Sequence, residues 1–302
     1  MPELKSLTLE DKFIVEKYLK IKKHQLSPFA FANIYIWKCL FEIYWTIIDE
    51  CFCLFAEDKN GCFMYLPPLG EKISGSVIEQ CFEIMDSENE NKNVTRIENV
   101  EEDSLSLYQL LGCKIVPKGN EYFYQREDLV NLKGNKLKAK RLAYNYFVKH
   151  YQYNYQPFEP PMKDECLSLL EKWKKNRQEK YTDVVYQAML EDSFSCQKIT
   201  LENCAPLDLL GRVVKIENRI KGYTFGFEIN EDIFCILFEI TDLKIKGLAQ
   251  FIFRKFCREM KMYKNINLMD DSGLENLRRV KLSYYPSKQI RSYIVYNALS
   301  TK

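Results

Sequence analysis

The stretch Phe238–Ala249, FEITDLKIKGLA, passes from an apolar strand into a helix. The strand side, Phe234–Ile240, is short, aromatic and β-branched, and the helix side, Leu248–Met260, is strongly apolar at helical spacing. Gly247 stands at the junction, within the pattern K-x-x-G-x-A formed by Lys244, Gly247 and Ala249. A helix that starts on a glycine presents free backbone N–H groups and a positive dipole end, which together attract phosphate or carboxylate. An ordinary strand-to-helix turn also uses such a glycine. Glu239 closes the strand, where a carboxylate is either desolvated and tuned as a base or turned to solvent at a sheet edge.

Working outward, the same plan occurs twice. The first round opens with a helix start at Thr8-Leu9-Glu10-Asp11, running to about Lys23. Strand character follows over Tyr44–Phe55 and Gly61–Leu66, then a helix over Ser76–Met85. A strand over Val94–Val100, a short helix over Ser104–Leu111, and strands over Cys113–Val116 and Tyr122–Arg126 complete it. The second round has helices over Met162–Lys180 and Asp183–Ser195, and strands over Leu207–Glu217, Gly222–Ile229 and Phe234–Ile240. It closes with the Leu248–Met260 helix, a strand over Ile266–Leu268, a short helix over Leu274–Val280 and a strand over Arg291–Ala298. Mixed sheets flanked by helices are expected, an α/β (α+β) chain of two similar domains, residues 1–130 and 161–302, joined by a basic, aromatic linker over 131–160.

Composition narrows the function. The chain has 302 residues, 28% charged, with a formal net charge of +2, so no global charge argues for nucleic acid or membrane. Eleven cysteines lack any C-x-x-C pair, and only His24 and His150 could join them, so no metal site is expected. No secretory leader pattern or transmembrane segment is read. The expected location is cytoplasmic with reduced thiols, open to a peripheral visit to a membrane surface.

Two further segments carry chemistry. Asn267–Pro286, NLMDDSGLENLRRVKLSYYP, sets Asp270 and Asp271 beside a turn glycine, then Arg278, Arg279 and Lys281, then Ser283-Tyr284-Tyr285. Such opposed charge suits an anionic ligand held by cations, with a carboxylate or phenol nearby to move a proton. Leu129–Phe158 holds Lys133, Lys136, Lys138, Lys140, Arg141 and Lys149 interleaved with Tyr144, Tyr146, Phe147, Tyr151, Tyr153 and Tyr155. Cations with stacking rings suit an RNA end, since phosphates supply affinity and unpaired bases stack; a solvated face backed by a packing stripe reads equally well. No G-x-S-x-G elbow, Walker loop or G-x-G-x-x-G is present.

These segments together resemble the uncharacterised family similar to the C-terminal synthase domain of phosphatidylglycerol lysyltransferases. Ser27, Phe31, Asn33 and Trp37 look like its S-x-x-x-F-x-N-x-x-x-W signature, and Pro67-Pro68-Leu69-Gly70 like its P-P-x-G turn. Leu132–Lys136 with Lys140-Arg141 and Asn145–Phe147 resembles its basic linker; Asn267, Asp271, Gly273, Leu277-Arg278 and Lys281–Tyr284 resemble its closing motif. K-x-x-G-x-A is close to the pyrophosphate loop of GNAT-type acetyltransferases, with Lys244 in the first place. The resemblance implies two tandem GNAT-like domains, each a mixed, mostly antiparallel sheet flanked by helices. It also implies aminoacyl transfer from a charged tRNA to a lipid headgroup or another amine or hydroxyl. The chain departs from the pattern at Leu142-Ala143, Ile240 and Leu268.

The expected reaction needs no covalent enzyme intermediate and no permanently bound cofactor; aminoacyl-tRNA is the co-substrate, with acyl-CoA as the alternative. Asp271 or Glu239 would take the acceptor's proton and Tyr284 would protonate the leaving hydroxyl. Lys244, Gly247, Ala249, Arg278 and Lys281 would hold donor phosphate, and Lys136, Lys138, Lys140 and Arg141 would hold RNA. Partners are tRNA and an anionic lipid surface. A non-catalytic module for an RNA end or anionic surface, and a CoA-dependent N-acetyltransferase, are the competing readings.

Overall fold

The computed structural model describes residues 3–297. Two compact units emerge, interleaved along the chain. Among the described residues the first comprises 3–121, 270–275 and 289–297, and the second 122–269 and 276–288.

The first unit contains β1 (Lys5–Ser6), α1 (Lys12–Leu19), α2 (Phe31–Ile36), β2 (Glu42–Ile48), β3 (Cys51–Asp58) and β4 (Gly61–Met64). There follow α3 (Gly75–Glu88), β5 (Ile97–Glu101), α4 (Leu105–Leu110) and the start of β6 (Lys114–Gln125). The second unit takes the end of β6, α5 (Arg126–Asn131), α6 (Lys138–His150), β7 (Asn154–Pro157), α7 (Lys163–Lys180) and α8 (Val184–Glu202). It continues through β8 (Leu210–Ile216), β9 (Arg219–Asn230), β10 (Ile233–Thr241), α9 (Leu248–Glu259), β11 (Asn265–Asn267) and most of α10 (Glu275–Leu282). The last strand, β12 (Lys288–Tyr296), pairs with β5, which draws the end of the chain into the first unit.

Strand order is β1-β2-β3-β4-β5-β12 in the first unit and β6-β11-β10-β9-β8-β7 in the second. Each unit is antiparallel except for one parallel pair, β4 with β5 and β10 with β11. In both, the parallel neighbours are linked by a crossover helix, α3 or α9, as parallel pairing requires. Each helix buries one apolar face. Val77, Ile78, Cys81 and Phe82 of α3 pack on Cys53, Phe55, Met64 and Ile97. Phe253, Phe256 and Cys257 of α9 pack on Phe234, Ile236 and Ile266.

Several elements differ from the sequence expectation. Tyr44–Phe55 is not one strand but β2 and β3, joined at Asp49-Glu50, whose φ angles of 45° and 63° form a two-residue hairpin turn. The two strands expected around residues 113–126 are one, β6, because Pro117–Glu121 stays extended between them. The final strand starts at Lys288, and Ala298 of the expected span lies outside the described residues. Within 131–160 the chain forms α6 and a strand, β7, paired to β8, so much of that basic segment is built into the second unit.

Candidate functional site

In the second unit, Glu239 lies near the end of β10, directly opposite Thr224 of β9. Part of its side chain still reaches solvent, but Oε2 is sealed from water and has no hydrogen-bond partner. Burial with nothing to compensate it pushes the carboxyl up to about 8. Around it stand Cys257 of α9 and Tyr284, just past α10. Burial, and next the Glu239 charge, hold both the Tyr284 phenol and the Cys257 thiol well above their ordinary ranges. Tyr284 is buried, its ring 4.8 Å from that of Phe253. Lys140 of α6 places its ammonium 4.2 Å from the same ring, and burial lowers its pKa. Tyr284 thus carries over its ring a cation without a carboxylate partner among the described residues, and lies within reach of the Glu239 charge.

The neighbouring turn is shaped by α6. Gly247 adopts φ 84°, and a Cβ placed on it would meet the Ala143 carbonyl oxygen at 2.1 Å. The glycine therefore serves both a left-handed start to α9 and a close approach of α6. Asp242 fastens the loop: its Oδ1 accepts from the Lys244 amide at 3.1 Å and its Oδ2 from Lys172 at 3.1 Å. Burial raises the Asp242 pKa, but the Lys244 amide and the Lys172 and Lys221 charges together bring it below the ordinary value. Lys244 is exposed and Ala249 half-buried.

The other sequence-singled residues distribute as follows. Arg278 is exposed on α10, whereas Lys281 Nζ is bonded to the Leu268 carbonyl at 2.6 Å. Asp271 is placed with the first unit, where its Oδ1 accepts from the Gly273 amide at 3.0 Å; Asp270 Oδ1 accepts from the Ser272 amide at 3.1 Å. Both carboxylates thereby form the turn before α10. Arg141 Nη1 bonds the Leu132 and Gly134 carbonyls, Lys136 lies 5.2 Å from the Tyr285 ring, and Lys138 is exposed at the start of α6. The tyrosines of this segment are largely occupied: Tyr144, Phe147, Tyr153 and Tyr155 all pack around Phe251, with centroid distances of 5.7, 4.6, 4.4 and 6.1 Å. Among these rings the packing stripe prevails over free stacking platforms.

Sequence reasoning missed a buried polar scaffold in the first unit. His24 Nδ1 lies 2.8 Å from Glu101 Oε2, and the Gln25 amide donates to Glu101 Oε1 at 3.0 Å. Ser27 donates to Glu121 through its hydroxyl at 2.5 Å and its amide at 2.9 Å. Asn33 Oδ1 accepts from Trp37 Nε1 at 2.9 Å and from the Tyr65 hydroxyl at 2.8 Å. Ser27, Asn33 and Trp37 of the S-x-x-x-F-x-N-x-x-x-W pattern therefore fasten this loop and helix. Asn33 and Trp37 are one helical turn apart, a spacing visible in the sequence; the partners Glu101, Glu121 and Tyr65 are not.

The repeated sheet-and-crossover plan defines a tandem GNAT-like fold, the architecture of acyltransferase-type proteins. The protein belongs to the family phosphatidylglycerol lysyltransferase, C-terminal, whose profile matches residues 20–296. It is similar to a conserved protein of unknown function from Bacteroides thetaiotaomicron, at 25% identity and TM-score 0.85 over 98% of this chain and 99% of that one. It also matches the L-PGS structure from Bacillus licheniformis, at 16% identity and TM-score 0.64 over 95% and 92% of the two chains. A tandem GNAT protein from the clavulanic acid biosynthesis pathway aligns over 99% of both chains at 8% identity and TM-score 0.51, a likeness of fold. No curated protein matches the chain. Among the described residues no helix is long and apolar enough to cross a membrane, and no group of His, Cys, Asp or Glu could hold a metal ion.

Proposed function

We propose that the protein is an aminoacyltransferase, taking an aminoacyl group from a charged tRNA and passing it to an amine or hydroxyl acceptor such as a lipid headgroup. The observation that carries this reading is Glu239, a half-buried carboxyl near the end of a core strand whose Oε2 is sealed without a hydrogen-bond partner. An unpaired buried carboxyl costs stability and is retained where chemistry uses it. With a pKa of about 8 it is basic enough, once ionised, to take a proton from an acceptor as that acceptor attacks the donor ester carbonyl. The new acyl bond forms as the ester C–O bond breaks, and the departing ribose oxygen needs a proton. Tyr284, kept protonated by its surroundings, is proposed as its donor. Asp271 is the other carboxylate proposed for the base.

For the donor phosphates the proposed contacts are Lys244 with the amides around Gly247 and Ala249, and Arg278 and Lys281 on α10. Lys136, Lys138, Lys140 and Arg141 are proposed to receive the RNA end. Of these, Arg278, Lys244 and Lys138 are exposed, while Lys281 and Arg141 would have to share their present carbonyl partners. Most of the rate acceleration would come from positioning two substrates.

The test is single-turnover transfer from a charged tRNA to lipid vesicles or a soluble headgroup analogue. Wild-type protein should form product, and Glu239→Gln should lose it while remaining folded. Full activity in Glu239→Gln and Asp271→Asn alike would refute the base assignment. A thermal shift with acetyl-CoA, and acetyl transfer without tRNA, would instead support the CoA-dependent reading.

A further inference from the structure

The core of the first unit holds two thiols in contact. Cys53 of β3 and Cys81 of α3 are both fully buried. Their sulfurs lie 3.5 Å apart, with the Cys81 thiol donating to Cys53 Sγ, and the Cys53 thiol donates to the Cys51 carbonyl at 3.6 Å. A single buried cysteine is a small apolar side chain and calls for no chemistry. This pair differs, because folding brings together sulfurs that stand 28 positions apart in the chain. Val77, Ile78 and Phe82 press the same face of α3 on Phe55, Met64 and Ile97, which holds the two sulfurs against each other. Closing them to the covalent length of about 2.05 Å takes roughly 1.5 Å of motion in total.

We propose that Cys53 and Cys81 form a peroxide-sensitive latch, a dithiol that closes to a disulfide and ties the crossover helix α3 to β3. The latch is independent of the transfer reading. The bond would close a loop that contains β4, Tyr65 and the Pro67–Gly70 turn. Tyr65 donates to Asn33, so the loop also carries part of the polar scaffold of this unit.

The chemistry balances with a peroxide as the oxidant. One sulfur, as thiolate, attacks a peroxide oxygen; an S–O bond forms, the O–O bond breaks, and the departing hydroxide takes up the thiol proton as water. The second sulfur then attacks the sulfenic sulfur. The S–S bond forms, the S–O bond breaks, and a second water leaves with the other thiol proton. The dithiol loses two electrons and the peroxide gains them. The Cys81 contact and burial hold the Cys53 thiol well above its ordinary range, so the closed core is unreactive and the reaction waits on an excursion of α3 from the sheet. An external thiol reopens the bond by exchange.

The experiment exposes the reduced, folded protein to excess hydrogen peroxide in native buffer, then blocks the remaining thiols in denaturant and maps the peptides. A Cys53–Cys81 linked peptide should appear, with two hydrogens lost from its mass. The melting temperature should rise by about 5 °C or more, and dithiothreitol should reverse both changes. Cys81→Ala should give neither the linked peptide nor the rise, whereas Cys113→Ser, at a half-buried position outside the pair, should keep both. The wild-type peptide map decides the matter even where Cys81→Ala folds poorly. Three results would each overturn the proposal. Cys53 and Cys81 could stay free while the half-buried Cys39 and Cys113 are oxidised. The bond could form only in urea, or form without raising the melting temperature. Mass, peptide map and melting are read without tRNA or acceptor, so failure here leaves the aminoacyltransferase reading standing, and loss of that reading leaves the latch standing.

Discussion

The two units treat buried carboxylates in opposite ways. In the first, Glu98 receives Lys118 at 2.7 Å and Arg96 at 2.6 Å. Glu101 receives His24, the Gln25 amide and Lys22. Burial raises both pKa values, but these charges and hydrogen bonds outweigh it, leaving each below the ordinary range. In the second, Glu239 Oε2 is buried without a hydrogen-bond partner, and burial raises the carboxyl to about 8. The same side chain is therefore scaffold in one unit and strain in the other. Satisfied buried polar groups specify a structure; an unsatisfied one calls for a functional explanation.

The sharpest way to break this contrast is to remove each carboxylate. Glu239→Gln should lower single-turnover transfer by about 10²–10⁴-fold, the range for a lost general base, while the melting temperature holds or rises. Glu101→Ala should do the reverse. Breaking a buried ion pair and stranding His24 should cost about 3–5 kcal/mol in denaturant unfolding, with transfer per folded molecule retained.

Gly247→Ala probes the geometry beside Glu239. A left-handed φ and a Cβ driven into the Ala143 carbonyl should together cost about 2–4 kcal/mol, read as a lower denaturation midpoint. A stability loss within about 0.5 kcal/mol would show that α6 does not press on this turn.

The pH dependence of stability gives a smaller but signed test. Glu239 has a raised folded pKa, so the folded state keeps a proton that the unfolded chain has already lost; its contribution falls as pH rises from the ordinary carboxylate range to about 8. The slope is at most about 1.4 kcal/mol per pH unit. Glu239→Gln should flatten that limb. Glu101 has a lowered folded pKa, so its contribution is present above the ordinary carboxylate value and is lost as pH falls through the folded one. Glu101→Gln should flatten the acid limb instead. Identical pH profiles for the two variants would erase the distinction between the units.

Much of the architecture is legible in the sequence. The strand-to-helix passage at Phe238–Ala249 stands where β10 gives way to α9, and the repeated helix-strand plan appears as one parallel pair with a crossover helix in each unit. These features depend on local periodicity and on a glycine that begins a helix. The hairpin at Asp49-Glu50 is not legible, because the turn lacks the usual Asn-Gly or Asp-Gly signal and the flanking residues are uniformly apolar. Nor is the interleaving of the chain between units, since the pairing of β12 with β5 joins residues far apart in the chain, such as Tyr293 and Val100.

For the site, the sequence by itself nominated Glu239, Tyr284 and Lys140 as chemically able residues, because residue type and the end of a strand are local properties. Only the tertiary structure decided that Glu239 Oε2 lacks a hydrogen-bond partner, that Lys140 lies over the Tyr284 ring, and that Tyr144, Phe147, Tyr153 and Tyr155 surround Phe251. It also decided that Asp270 and Asp271 bend the chain through their own backbone neighbours. The physical reason is the same in each case. A side chain's type is written in the chain, but its desolvation and its partners depend on which distant segments fold against it, and those alone set whether a carboxylate is a cap, a strut or a base.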